Sequence, residues 1–217
     1  MTAIFIPTYH RANKLQALVQ NIKEATPEGH KIYFIVEDDD TESKAVITAL
    51  HEKYIINTGK PYYADCINTA YKKTTEPYFF TGADDLRFYP GWLAEIKKCL
   101  LRGALVVGTN DLHNPDVLLG QHATHYLVKR SYIDTEGGRM DATKGTVLYP
   151  YEHNYTDTEF ICTATKRGVF LPCLKSKVEH IHWCWGLADK DETYEKGFRA
   201  NSRDKEIFEK RRYLWER

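Results

Sequence analysis

Two adjacent carboxylates, Asp84 and Asp85, stand just beyond an aromatic run (Tyr78, Phe79, Phe80) and Gly82. The run suits a short strand buried on both faces, and ligands gather at the carboxyl ends of such strands in open α/β sheets. A carboxylate pair there can hold a hard divalent cation, which in turn clamps phosphate oxygens. A second acidic cluster, Glu37-Asp38-Asp39-Asp40, closes another apolar stretch, and Asp157-Thr158-Glu159 opens a helical pattern. A carboxylate at a helix start serves either as a general base or as a cap. In His180-Ile181-His182-Trp183-Cys184 the alternation puts both histidines and the thiol on one face of an extended segment, a metal-ligand pattern. Each has a plain alternative: acids that cap the following helix, or a strand histidine satisfied within the core.

These groups need a scaffold, and the first hundred residues alternate strand and helix. Ala3 to Ile6 reads as a strand ended by Pro7-Thr8-Tyr9. Leu15, Leu18, Val19, Ile22 and Ala25 follow at helical spacing. Ile32 to Val36 is a second strand, Thr41 to Lys53 a helix, Tyr54 to Ile56 a third strand and Tyr63 to Lys73 a helix. Pro90-Gly91 turns the chain into a helix on Trp92, Leu93, Ile96 and Leu100. The alternation predicts a mostly parallel central sheet flanked by helices. Beyond Arg102 it weakens. Strands are expected at Ala104 to Gly108, Gln121 to Lys129 and Val169 to Leu171, with a mobile loop over Thr135 to Gly145. A helix is expected from Asp157 to Lys166, and a charged helix closes the chain within Asp189 to Arg217. No Gly-x-Gly-x-x-Gly and no Walker loop follows any strand, which weakens dinucleotide and P-loop readings.

Composition narrows the class. At 217 residues one domain is the economical reading. Lysine plus arginine balances aspartate plus glutamate at 30 each, which argues against gripping nucleic acid by bulk charge. The start lacks a signal-peptide pattern and no apolar run reaches membrane-spanning length. The five cysteines form no C-x-x-C pair, as expected for reduced thiols in the cytoplasm.

Taken together, the Pro7-Thr8 strand end, the acidic second strand end, the Asn68 helix, Tyr-Phe-Phe-x-x-x-Asp-Asp with Pro-Gly-Trp-Leu, and the later Asp-x-Glu resemble GT-A glycosyltransferases. The likeness is to family 2-like inverting enzymes, in a compact form similar to those of bacteriophages, and covers roughly residues 3 to 185. It implies a single Rossmann-like domain with a nucleotide-sugar half (1–102) and a smaller β/helical acceptor half (103–217). It implies that Pro7, Thr8, Arg11 and Asn68 hold the donor, with Glu37 or Asp38 on the uracil edge. It implies Mn²⁺ or Mg²⁺ on Asp85, completed by His180 or His182. Ala83 stands where the first Asp of the family's Asp-x-Asp is usual, leaving Asp84 for the sugar. Asp157 is implied as the base, with Thr156 where a Glu is usual.

Three rivals remain at this level. A sugar-nucleotidyltransferase would want a glycine-rich basic loop after the first strand, which Pro7-Thr8-Tyr9-His10-Arg11 is not. A zinc protein could use His180, His182 and Cys184, and a non-catalytic sugar- or nucleotide-binding protein would share the sheet. The acceptor is open between modified DNA, a glycan and a protein. A basic cluster (Arg199, Arg203, Lys205, Lys210, Arg211, Arg212) is either a phosphate contact or a solvated helix face.

Overall fold

The first half of the chain builds its sheet by the expected alternation. In the computed structural model, which describes residues 1–141 and 144–216, the order is β1 (Thr2–Pro7), α1 (Ala12–Ala25), β2 (His30–Val36), α2 (Thr41–Ala49), β3 (Lys53–Ile56), α3 (Tyr63–Lys73) and β4 (Tyr78–Thr81). A short β5 (Leu86–Phe88) and α4 (Trp92–Leu101) follow. The second half comprises β6 (Val106–Asn110), α5 (Pro115–Leu118), β7 (Tyr126–Lys129), α6 (Arg130–Glu136), α7 (Thr156–Lys166) and β8 (Phe170–His180). A 3₁₀ turn (Trp183–Trp185), α8 (Glu192–Arg211) and α9 (Tyr213–Glu216) complete it.

One sheet crosses both halves in the order β3-β2-β1-β4-β7-β6-β8-β5. β1, β2, β3 and β4 are mutually parallel, as are β6 and β8, whereas β7 runs against both its neighbours and β5 against β8. Alternate β1 residues divide two cores. Ile4 and Ile6 pack with Leu15, Leu18 and Ile22 of α1, while Ala3 and Phe5 pack with Ile67 and Ala70 of α3. Every strand that ends toward the acidic clusters is thereby held from both sides.

Gly82 sets the spacing at the centre. Its N–H donates to the Phe5 carbonyl at 2.9 Å. A Cβ there would lie 2.7 Å from Ile6 Cδ1 and 2.8 Å from Phe5 O, so only glycine lets β4 leave this close to β1. Asp84 and Asp85 are delivered beside Thr8 as a result.

Five expectations shift. The helix after Thr41 stops at Ala49, where Leu50 and a left-handed His51 (φ 57°) end it. The strand predicted over Gln121 to Lys129 is confined to Tyr126–Lys129; ahead of it His122 turns to the Asp157 carboxylate and His125 Nδ1 to the main-chain carbonyl of Thr81. β8 is far longer than predicted because it pairs with both β6 and β5. The extended segment expected to continue to Cys184 ends at His180, and His182 caps the 3₁₀ turn. The expected mobile loop begins inside α6. Its described flanks are tied by Gly138 N–H to Thr146 O and Gly145 N–H to Ile133 O, and residues 142 and 143 lie outside the described residues, as does Arg217 of the closing helix. No helix among the described residues is long and apolar enough to cross a membrane.

Candidate active site

The ends of β1, β2 and β4, the start of α7, the end of β8 and one face of α8 enclose a cavity of about 750 Å³. That is ample for a drug-sized ligand. Asp84 and Asp85 enter it side by side with opposite surroundings. Asp84 is saturated: Thr8 Oγ1 donates to it at 2.8 Å and Arg11 Nη1 at 2.6 Å. Arg11 also forks onto Asp191, with both contacts at 2.8 Å. Burial alone would lower the Arg11 pKa, but the carboxylates of Asp84 and Asp191 hold it above its ordinary value.

Asp85 is left open. Its Oδ2 accepts from the Tyr194 hydroxyl at 2.9 Å and lies 3.4 Å from His180 Nε2. Its Oδ1 is buried and has no hydrogen-bond partner among the described residues. Burial would push this carboxyl up, yet His180 beside it holds it well below the usual carboxylate range. Ligand atoms of Asp85, His180 and His182 all lie within 4.8 Å of one another. Burial and the neighbouring His180 bring His182 down to about 4, so its ring stays neutral and keeps a lone pair. An orphaned carboxylate oxygen beside two imidazoles fits a first-row divalent cation that accepts both oxygen and nitrogen ligands. Cys184 does not join this set. Its Sγ is exposed and sits 2.8 Å from His182 Nδ1, so the His-x-His-x-Cys grouping gives way to Asp85-His180-His182.

Asp157 faces the same cavity from the first turn of α7. The residue before that helix, Tyr155, is left-handed (φ 65°), a conformation costing ~1 kcal/mol for a side chain of this size. Stacking of its ring on Phe208 of α8, with centroids 4.8 Å apart, offsets that cost. Asp157 Oδ1 accepts from Thr158 N–H at 2.8 Å, and Oδ2 is 3.1 Å from His122 Nε2. Burial works to raise its pKa, but His122 and the Thr158 N–H bring it below the ordinary value. Glu159, two residues on, is committed elsewhere: it accepts from Tyr151 and, bidentately, from Arg211 of α8.

The third side is α8, whose charged sequence gave little sign of it. Asp191 caps the helix by accepting from Tyr194 N–H at 3.2 Å, while gripping Arg11. The Arg11 guanidinium lies 4.4 Å from the centroid of the Tyr194 ring, a cation–π contact. Further along, the fully buried Asp204 accepts three backbone N–H groups, from Glu152, His153 and Asn154, at 3.0, 3.0 and 2.8 Å. Gly197 is obligatory opposite them, since a Cβ there would lie 2.5 Å from the His153 ring. So α8 fixes the segment leading into Asp157.

Of the residues nominated from sequence, Pro7, Thr8, Arg11, Glu37, Asp84, Asp85, Asp157, His180 and His182 line the one cavity. Asp38 does not. It points out beyond the end of β2 and pairs with Lys44 at 3.5 Å, leaving Glu37 as the acid on the wall. Asn68 is also elsewhere: its side chain bonds Val147 N, Leu148 N and Leu148 O, each at 3.0 Å, and anchors that segment to α3. Most of the basic cluster is a paired helix face, with Lys210 on Glu206, Arg212 on Glu209 and Glu216, and Arg203 on Glu152. Sequence reasoning missed His122, Asp191, Tyr194 and Asp204. His122 had a signal, a second histidine three residues away at His125, but no spacing ties it to Asp157.

Comparison with known proteins fits this architecture. The family model described as glycosyl transferase family 2 matches residues 3–161. A mannosyltransferase from Pyrobaculum calidifontis, solved with GDP-Man and Mn²⁺, superposes with a TM-score of 0.66 at 14% identity, over 83% of this chain. The chain spans only 57% of that enzyme's length. Glucosyl-3-phosphoglycerate synthase from Mycobacterium tuberculosis, solved with Mn²⁺, UDP and glucosyl-3-phosphoglycerate, gives 0.70 at 8% identity, covering 97% of this chain and 80% of that one. The same synthase with Mn²⁺ and UDP-glucose gives 0.68 at 8% identity, covering 97% and 79%. No curated protein matches the sequence.

Proposed function

Because the chain belongs to glycosyl transferase family 2, we propose that it is a metal-dependent, inverting glycosyltransferase moving a sugar from a UDP-sugar to a hydroxyl acceptor. The observation that carries this reading is the presence, on the wall of one cavity, of both the open Asp85-His180-His182 cluster and the fully held Asp157 carboxylate. Asp85, His180 and His182 would hold Mn²⁺ or Mg²⁺, and when bound the ion neutralises charge on the leaving diphosphate. The Mn²⁺ and nucleotide sugars in the two superposed enzymes support that choice.

The protein's own groups divide the remaining work. Residues 1–102 supply the donor side: Pro7, Thr8, Arg11, Glu37 and Asp84 line it, with Arg11 and Asp84 locked to each other. Residues 103–217 supply the acceptor side. Asp157 accepts the proton of the acceptor hydroxyl as that oxygen bonds the anomeric carbon from the face opposite the diphosphate. The carbon–oxygen bond to the diphosphate breaks with its electron pair leaving on UDP. Five free cysteines support a cytoplasmic setting.

A modified base in phage DNA belongs on the acceptor panel, with Arg199 and Arg203 of α8 on the cavity wall as its candidate phosphate contacts. The test is UDP release from UDP-glucose, UDP-galactose and UDP-N-acetylglucosamine with Mn²⁺, without and with glycan, protein and modified-DNA acceptors. Release from one donor that rises with one acceptor is expected. Tight binding of UDP with no turnover under any condition would leave a binding protein instead.

A further inference from the structure

His122 stands behind Asp157. It is not on the cavity wall, whereas Asp157 is. Its Nε2 lies 3.1 Å from Asp157 Oδ2, and the other carboxylate oxygen is taken by Thr158 N–H at 2.8 Å, so the carboxylate is held at both ends. The backbone around the ring is itself fixed. Gln121 and His122 N–H groups both donate to Asp116 O, and Thr124 Oγ1 donates to Asp111 Oδ2 at 2.9 Å. We infer that His122 is the positioning residue of the transfer reaction, setting the orientation and charge of the carboxylate that receives the acceptor's proton. The inference rests on the reading of Asp157 as base and deepens it.

The chemistry asks for such a partner. Asp157 lies at a buried helix start where a lone carboxylate would favour its neutral form, and a neutral acid cannot take a proton. A carboxylate also rotates freely about its last torsion unless both oxygens are engaged. An imidazolium behind it meets both needs, just as partners behind a reactive group orient it elsewhere. Burial would lower the His122 pKa, but Asp157, with Asp111 and Asp116, raises it. The other titratable groups whose fields overlap that of Asp157 are Tyr63, Tyr126, His125, His153, Cys162 and His180, and none is altered in the variants below.

The first measurement uses the metal-free protein. The His122 ring, followed by NMR, should titrate above its ordinary 6.5 and fall in Asp157→Asn. An unchanged titration would overturn the pairing. The second is UDP release with Mn²⁺. His122→Ala should cut kcat by ~10–100-fold with donor KM near the parent value. The acid limb of its kcat profile should move to higher pH, because the positive charge favouring ionised Asp157 is gone. His122→Gln keeps a donor without the charge, so it should recover part of kcat while retaining the shifted limb. In the Asp157→Asn background His122→Ala should cost nothing more. Parent kcat and an unmoved limb in both His122 variants would overturn the inference, as would an equal further loss on top of Asp157→Asn. Should His122→Ala not fold, the glutamine variant and the NMR titration decide. Parent turnover in Asp157→Asn alone would instead remove the base reading, and the inference with it.

Discussion

Asp85 and Asp157 are carboxylates on one cavity, the first buried and the second partly exposed, and they are finished in opposite ways. Asp85 keeps an oxygen with no partner and two imidazoles at hand. Asp157 has both oxygens engaged by its own chain. Leaving a buried acceptor unsatisfied is costly, so a protein tolerates it where something from outside completes the set. A fully partnered carboxylate is instead stabilised as an anion for its own use. The difference matches the division proposed for them, an ion for Asp85 and a proton for Asp157. The neighbouring Asp84 makes the point within two residues, since Thr8 and Arg11 saturate it and leave nothing for a cation.

The largest test of that contrast is metal removal. Exhaustive chelation should reduce UDP release to background, a loss of more than ~10³-fold, and Mn²⁺ should restore it. Full turnover in a preparation verified metal-free by elemental analysis would end the argument for the Asp85 cluster. Next comes Asp157→Asn, expected to lower turnover by ~10²–10⁴-fold while Mn²⁺ and UDP affinities by calorimetry stay near parental. Retention of more than about half the turnover would mean that Asp157 merely caps α7, a job asparagine does equally well. Asp85→Asn should show the converse pattern, with UDP binding weakened ~10–100-fold only when Mn²⁺ is present. Equal affinities with and without the metal in parent and variant would count against the assignment.

The smallest effect belongs to a third carboxylate, remote from the cavity. Glu76 accepts from Lys31 and from Tyr33, each at 2.9 Å. Burial would raise its pKa, but these partners bring it down from 4.5 to about 2. Because the folded value is depressed, its contribution is complete above pH 4.5 and fades as the pH falls toward 2. Glu76→Gln should therefore lower stability by about 1 kcal/mol at neutral pH, lose that deficit near the acid limit, and leave turnover untouched. Denaturant melts at several pH values check it, and a deficit that persists in acid would assign the effect to packing.

Much of this was legible in the residues. Strand ends announce themselves where an apolar run meets a turn, so Pro7-Thr8, Glu37 and Asp84-Asp85 could be placed at one edge of a parallel sheet before any coordinates. The helix start at Asp157 was likewise written locally. What failed was long-range. Asn68 sits on a helix wall beside the donor side, but its amide is claimed by residues 147 and 148, which no local pattern reveals. Glu37 and Asp38 both lie beyond the last residue of β2, in the turn into α2, where strand alternation no longer tells which of them faces the cavity. Tyr194 reaches Asp85 across a separation of 109 residues from a helix whose composition reads as solvent-facing.

The shared family portion ends at residue 161, yet the geometry around Asp157 is maintained from residue 204. One aspartate in α8 takes three successive main-chain N–H groups and so dictates the path of the segment that leads into Asp157. Inheritance and assembly therefore have different boundaries in this molecule. The matched portion depends on a helix outside it for the path of its own last loop, and a transplant of residues 3–161 alone would leave that loop without its anchor.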